Sequence, residues 1–336
     1  MRNDKVPTMA DIARKTGVSP MTVSRAFKSG GLISKDTRDA ILQAAEELGY
    51  VFDSTASNLR SQKSDFIAVT IPSINNANFA DTVGGLSETL SSRGFQILLG
   101  YTNYDVQEEE RLIEQLLRRK PQAIVVTGGK HTPRARKLLE NANVPVIETW
   151  DAPVEPIGHF VGFSNADAVR GMVDHFVAAG YRRIAFIGGD ASRDTRGSDR
   201  RLGFIAALGD HGLDASRLID AGAPPISMRE GANAMARLLK EYPDTEAVIC
   251  VSDLSAFGAL TECQRRGIPV PERIAIGGFG DYEIGGISVP ALTTIDARAR
   301  EIGLRTGRLI LDLLDGVPDL SHITMEPELI VRESSR

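Results

Sequence analysis

From Phe66 onward the chain alternates short apolar runs with helix-like stretches, and that rhythm leaves few folds open. "FIAVTIP", "FQILLGY", "AIVVTG" and "VPVIETW" are continuously apolar and rich in β-branched residues. Runs of that kind suit strands buried on both faces, and the periodic segments between them, such as 108–117, suit covering helices. The same rhythm resumes in "RIAFIGG", "EAVICVSD" and "RIAIGGF". Repeated strand–helix–strand units predict an α/β fold of parallel sheets flanked by helices, and two such blocks predict two lobes with a cleft between them. In open sheets of this type ligands sit beyond the carboxyl ends of the strands, so polar residues just after each run are the first binding candidates.

The first fifty residues read differently. Thr8 precedes the apolar set Met9, Ile12 and Ala13 and suits a helix cap. Gly17 fits a turn that needs positive φ, with Val18 as its apolar plug. Ser19 is a good cap for a second helix, and Pro20 suits its first position, where no amide hydrogen is required. Val23 and Phe27 then share the inward face, leaving Met21, Thr22 and Arg25 outside. Ser34 opens a third helix striped by Ile41, Ala45 and Leu48 and stopped by Gly49. Three short helices with a glycine turn between the first two predict a helix-turn-helix head over residues 1–52.

The words "TMADIA", "GVS", "TVSR" and "LGY" in this order resemble the LacI/GalR family of bacterial repressors. The resemblance implies a DNA-binding head whose second helix reads the major groove of a pseudo-palindromic operator through Pro20, Met21 and Arg25. An arginine fork matches guanine O6 and N7, whereas Met21 offers only an apolar edge for a thymine methyl. Thr8, Ser19, Thr22 and Ser24 are assigned to phosphates or to helix caps. Charge agrees with an anionic partner for the head alone: residues 1–63 carry a net +3, the remainder −8.

Residues 53–63, "DSTASNLRSQK", are small and polar, and alone they have too little apolar surface to order. The resemblance implies a hinge here that folds on DNA in a homodimer, wedging Leu59 into the minor groove with Ala56 on the pairing face. Two departures stand out. Phe52-Asp53 replaces the family's Pro-Asn, and Ser57 stands where arginine is common.

The resemblance extends over the body (64–336) through "PSINNANFA", "RRLGF", "VSDLSAFGAL", "GGFGD" and "PALTTI". It comes nearest to gluconate-type repressors through "HTPR" (131–134), "VPVIE" (144–148) and "VGF-N" (161–165). It implies an effector site made of Ser73, Phe79, Thr127 and Glu148 from the first lobe, and Arg196, Arg200, Asp253 and Phe279 from the second. Arginines fork a carboxylate, acidic side chains take sugar hydroxyls, and phenylalanine covers an apolar sugar face. Trp150 stands where many members keep a ligand-binding aspartate, so Glu148 or Asp151 would have to substitute. Arg196 and Arg200, one helical turn apart, suit an anionic ligand. If they pair instead with Asp194 and Asp199, a neutral sugar fits better.

Other classes find little support. No G-x-G-x-x-G follows the first strand, and "GGFGDYE" lacks the third glycine. There is no phosphate-binding loop, no His-Glu-x-x-His and no Gly-x-Ser-x-Gly, and the five histidines lack metal spacing. No cofactor, metal or catalytic role is expected. The two cysteines, Cys250 and Cys263, sit in apolar runs as free thiols of a reducing compartment. With no apolar leader and no membrane-length span, a cytoplasmic protein is expected. A periplasmic sugar-binding protein would share the body but would have no use for the head. "ITMEPELIVRESSR" carries no leucine heptad, so a dimer rather than a coiled-coil tetramer is expected. The reading is a repressor controlled by a sugar acid of the gluconate type, acting on genes of sugar-acid uptake or catabolism. A repressor answering to a neutral sugar is its alternative.

Overall fold

The computed structural model describes residues 6–27, 33–52, 64–189 and 193–335. It divides into two units, Met1–Lys63 and Ser64–Arg336.

In the first unit, helices α1 (Met9–Thr16), α2 (Pro20–Ala26) and α3 (Lys35–Leu48) are each opened by a polar residue. Ser19 Oγ accepts the Thr22 amide and Ser34 Oγ accepts the Thr37 amide, both at 3.2 Å. Thr8 works differently: its hydroxyl and its amide both donate to the Asp11 carboxylate, at 2.6 and 2.9 Å. Gly17 ends α1 at φ 69°, a conformation costly for any side chain with a Cβ. Helices this short are unstable alone. They persist because Ile12, Val23 and Ile41 are fully buried against one another and against Ala13, Ala26, Ala44 and Ala45. Burying each large side chain contributes about 1.5–3 kcal/mol. Phe27 stacks on Phe52 at 4.9 Å and meets Tyr50 at 6.0 Å, so the unusual Phe52 serves as a lid on this small core.

The second unit holds two parallel sheets. The first contains β1 (Phe66–Ile71), β2 (Gln96–Tyr101), β3 (Ile124–Thr127), β4 (Val146–Thr149), β5 (His159–Gly162) and β11 (Ile323–Thr324), in the order β11-β5-β4-β3-β1-β2. Its helices are α4 (Ala77–Ser91), α5 (Val106–Leu117), α6 (Pro133–Glu140) and α12 (Ala299–Leu314). The second contains β6 (Ile184–Gly188), β7 (Leu218–Asp220), β8 (Ala247–Cys250) and β9 (Ala275–Gly277), in the order β7-β6-β8-β9. Helices α7 (Asn165–Ala178), α8 (Thr195–Asp210), α9 (Met228–Glu241) and α10 (Asp253–Arg265) belong to it. A short helix, α11 (Glu283–Ile287), and an antiparallel pair, β10 (Thr294–Asp296) with β12 (Glu328–Ile330), complete the described elements.

The chain passes between lobes three times: after β5, between β10 and α12, and between β11 and β12. Because strand side chains alternate, Ile67, Val69, Ile71 and Ile147 feed one core while Ala68, Val146 and Val126 feed the core under α5 and α6. That alternation decides the fate of Glu148. Strands β5, β7 and β11, at two to four residues each, are too short to rise above the loops in the sequence.

Candidate effector cleft and DNA-reading head

On α2 the inward side chains Val23 and Ala26 are buried, while Pro20, Met21 and Arg25 are exposed. Met21 keeps 65% of its surface in solvent, an unusual exposure for a large apolar residue. The guanidinium of Arg25, one turn on, has no hydrogen bond or ion pair among the described residues. Ser19 and Thr22 are engaged locally, their hydroxyls 2.9 Å apart, and Thr22 and Ser24 are half-buried. Ala56 and Leu59 lie outside the described residues.

Between the lobes, beyond the strand ends, lies a cavity of about 180 Å³. The first lobe lines it with Ser73, Asn75, Asn76, Asn78, Phe79, Tyr104 and Trp150. From the second come Asp194, Arg196, Arg200, Ser227, Ser252, Phe279 and Tyr282, with Pro224, Pro225 and Ile226 at one edge. Arg200 is held in three ways. Its guanidinium lies 3.5 Å from the Phe279 ring centroid, Nε donates to Asn165 Oδ1 at 3.0 Å, and Nη1 donates to the Val251 carbonyl at 2.9 Å. Burial pulls its pKa down to about 10, with Asp194 opposing and Arg196 adding to the fall. Arg196, 6% exposed, sits over Phe79 at 5.6 Å and donates Nη1 to the Thr127 carbonyl at 3.3 Å.

Neither guanidinium has a carboxylate partner among the described residues. Asp194 caps α8 by accepting the Gly197 amide at 3.0 Å, and Asp199 is bound by Lys130. One buried and one half-buried guanidinium in a cavity, each with donors to spare, have the chemistry to bind an anion. Tyr282 Oη donates to Asn76 Oδ1 at 2.6 Å, joining the lobes across the cavity floor.

Ser73, Phe79, Arg196, Arg200 and Phe279 therefore meet in one cavity, and three other expected residues do not line it. Glu148 follows the alternation of β4 to the opposite face of the sheet. There it is fully buried, accepts the Ile157 amide at 2.8 Å and lies 3.5 Å from His131 Nε2. Asp253 is also fully buried and both its oxygens are taken, by Thr294 Oγ1 at 2.6 Å and the Tyr282 amide at 2.7 Å. Burial raises its pKa to about 6. It braces the chain behind the cavity wall. Thr127 spends its hydroxyl on the Thr70 carbonyl at 2.8 Å and meets Arg196 only through its own carbonyl.

Asp151 does not replace the absent aspartate either, since its carboxylate accepts the Gly129 and Ala152 amides. Trp150 itself fills that space, edge-on to Phe79 and Phe163, with Nε1 donating to Thr82 Oγ1 at 3.1 Å. The "HTPR" segment is also occupied structurally. His131 is buried between Glu109 and Glu148, Thr132 caps α6, and Arg134 pairs with Glu110 and Glu114.

Sequence reasoning missed Asn75, Asn76, Ser252, Tyr104 and Tyr282. All five fall within five residues after a strand end (β1, β2, β8 or β9), and the strand-end rule applied evenly would have found them. Among the described residues no group of three acidic, histidine or cysteine side chains is placed to hold a metal ion, and no helix is long and apolar enough to cross a membrane.

A helix-turn-helix head followed by a two-lobed domain with a ligand cleft defines a ligand-responsive DNA-binding regulator. Residues 8–53 match the model of bacterial regulatory proteins of the lacI family, and residues 173–335 match that of a periplasmic binding protein-like domain. The HTH-type transcriptional regulator GntR of Pseudomonas aeruginosa is 35% identical, over 98% of this chain and 96% of its own. The HTH-type transcriptional repressor CytR of Escherichia coli K12 is 30% identical, over 100% and 98%. The crystal structure of a transcriptional regulator, a LacI family protein, from Silicibacter pomeroyi superposes with a TM-score of 0.92 at 31% identity, covering 98% of this chain and 99% of that one. The chain belongs to the LacI family of DNA-binding transcriptional repressors. Its relatives are regulators and not enzymes.

Proposed function

We propose that the cleft takes a small sugar acid of the gluconate type, and that its binding releases the repressor from a pseudo-palindromic operator governing sugar-acid uptake or catabolism. The observation that carries this reading is the pair Arg196, buried, and Arg200, half-buried, which line the cavity with neither in an ion pair with a carboxylate among the described residues. An anionic ligand supplies the missing charge, and charge-assisted hydrogen bonds to a guanidinium are about twice as strong as neutral ones. Asn75, Asn76, Ser73 and Ser252 offer neutral partners for hydroxyls, and Phe79, Trp150 and Phe279 an apolar wall. With Glu148 and Asp253 turned elsewhere, Asp194 is the one carboxylate among the described lining residues and it caps α8 through the Gly197 amide, so the hydroxyl contacts fall mainly to amides and hydroxyls. The kinship with GntR supports the same class.

In this reading the protein is a homodimer that reads its operator through Pro20, Met21 and Arg25. Thr8, Ser19, Thr22 and Ser24 lie toward the phosphates, and Leu59 and Ala56 act in the hinge. Calorimetry with gluconate and related sugar acids, set against the matching neutral sugars, tests the effector. Micromolar binding of a sugar acid with at least ten-fold weaker binding of its neutral counterpart is expected. Binding of a neutral sugar alone would overturn it.

A further inference from the structure

Helix α8 has two functional faces. Arg196 and Arg200 turn into the cavity, while Asp199 turns toward the loop that follows β3 in the other lobe. Lys130 Nζ, on that loop, lies 2.6 and 2.8 Å from the two oxygens of Asp199. Three residues earlier, the Thr127 carbonyl accepts Arg196 Nη1. Between these contacts Gly128 adopts φ +99°, and a Cβ there would stand 2.9 Å from Arg196 Nη1. The backbone conformation itself calls for glycine, and a Cβ would also push the Arg196 guanidinium aside.

The loop is anchored at its other end. His131 is buried, with Nδ1 2.7 Å from Glu109 Oε2 on α5 and Nε2 3.5 Å from Glu148 Oε1 on β4. One end is therefore pinned inside the first lobe, and the other grips the helix of the second lobe that carries both cavity arginines.

We propose that the Lys130–Asp199 ion pair is an inter-lobe latch that favours the closed cleft and thereby sets effector affinity. The proposal rests on the reading of the cleft as the effector site. A ligand that needs the closed cleft binds with an affinity reduced by the fraction of molecules that are closed. Opening the latch lowers that fraction without touching a cavity residue, because neither Lys130 nor Asp199 lines the effector cavity. The pair is only partly shielded, its side chains being 54% and 20% exposed, so its effect is modest and salt-dependent.

The test measures the distance between spin labels at Lys137→Cys on α6 and Glu241→Cys on α9 in the full chain. Native Cys250 and Cys263 are buried, which directs labelling to the introduced thiols. Lys130→Met is expected to lengthen or broaden the distance distribution, and the swap Lys130→Asp with Asp199→Lys is expected to restore it. In calorimetry with gluconate, Lys130→Met is expected to bind about two- to five-fold more weakly at an unchanged Tm. An unchanged distance distribution in Lys130→Met overturns the latch whether or not gluconate binds, as does a swap that restores nothing. A latch that opens as expected in a protein that binds no sugar acid supports the latch and overturns the effector reading.

Discussion

Arg200→Met is expected to weaken gluconate binding about thirty-fold or more while leaving ligand-free operator affinity within two-fold. The guanidinium is fixed by Phe279, Asn165 and the Val251 carbonyl before any ligand arrives. The ligand therefore meets a preorganised cation and loses little entropy in ordering it. Removing one partner of a buried charge pair costs about 2–5 kcal/mol, much of it because the other charge is left unpaired. Arg200→Lys is expected to recover little of the loss, since an ammonium neither stacks on Phe279 nor donates as a planar fork. Arg196→Met is expected to fall between, because Arg196 makes one such bond, across to Thr127. The quenching of Trp150, the only tryptophan and a cavity residue, provides the readout. A neutral-sugar effector predicts near-equal affinity for both variants and wild type.

His131→Leu is expected to destabilise the body by about 3–5 kcal/mol, the usual cost of removing one member of a buried ionic group. Glu109 and Glu148 would then face each other as buried carboxylates with no cation between them. In the wild type, burial works to lower the His131 pKa, but the hydrogen bond to Glu109 and the charges of Glu109 and Glu148 outweigh it and raise the pKa to about 9. A group raised in the folded state stabilises fully below its unfolded value near 6.5 and loses that contribution as pH rises through about 9. Urea denaturation followed at Trp150 is thus expected to show wild-type stability falling by about 3 kcal/mol between pH 6.5 and 9.5 from this group. His131→Leu is expected to lack that part of the slope. Adding Glu109→Gln and Glu148→Gln to His131→Leu is expected to recover much of the stability, because the uncompensated charges are then gone.

The sequence made the architecture legible because its signals are local. Ser19-Pro20, Ser34 and Gly17 are helix boundaries written in single residues, and runs such as "RIAFIGG" announce buried strands without reference to anything distant. The cavity was legible in part. Arg196 and Arg200 share a helical turn, so their convergence follows from spacing alone. Glu148 and Asp253 show where such reasoning stops. Both stand at strand ends, where ligands bind, and yet a one-residue change of parity along β4 sends Glu148 to the far side of the sheet. Asp253 is claimed by Thr294 and Tyr282, residues 41 and 29 positions away. A strand-end carboxylate serves a ligand or the fold according to partners brought in by topology, and those partners leave no local trace. The "HTPR" segment teaches the same lesson. It reads as a family signature, while its side chains cap a helix and fill a buried ionic cluster.

The most direct test of the central claim is a fluorescence-anisotropy titration of a duplex from the region upstream of the gene, against random duplex, with and without gluconate. Wild type is expected to prefer the upstream duplex and to lose affinity for it when gluconate is added. Arg25→Ala is expected to lose about 1–3 kcal/mol on the upstream duplex with a smaller loss on random DNA, as befits a base contact. Equal wild-type affinity for both duplexes, unchanged by gluconate, would contradict the account.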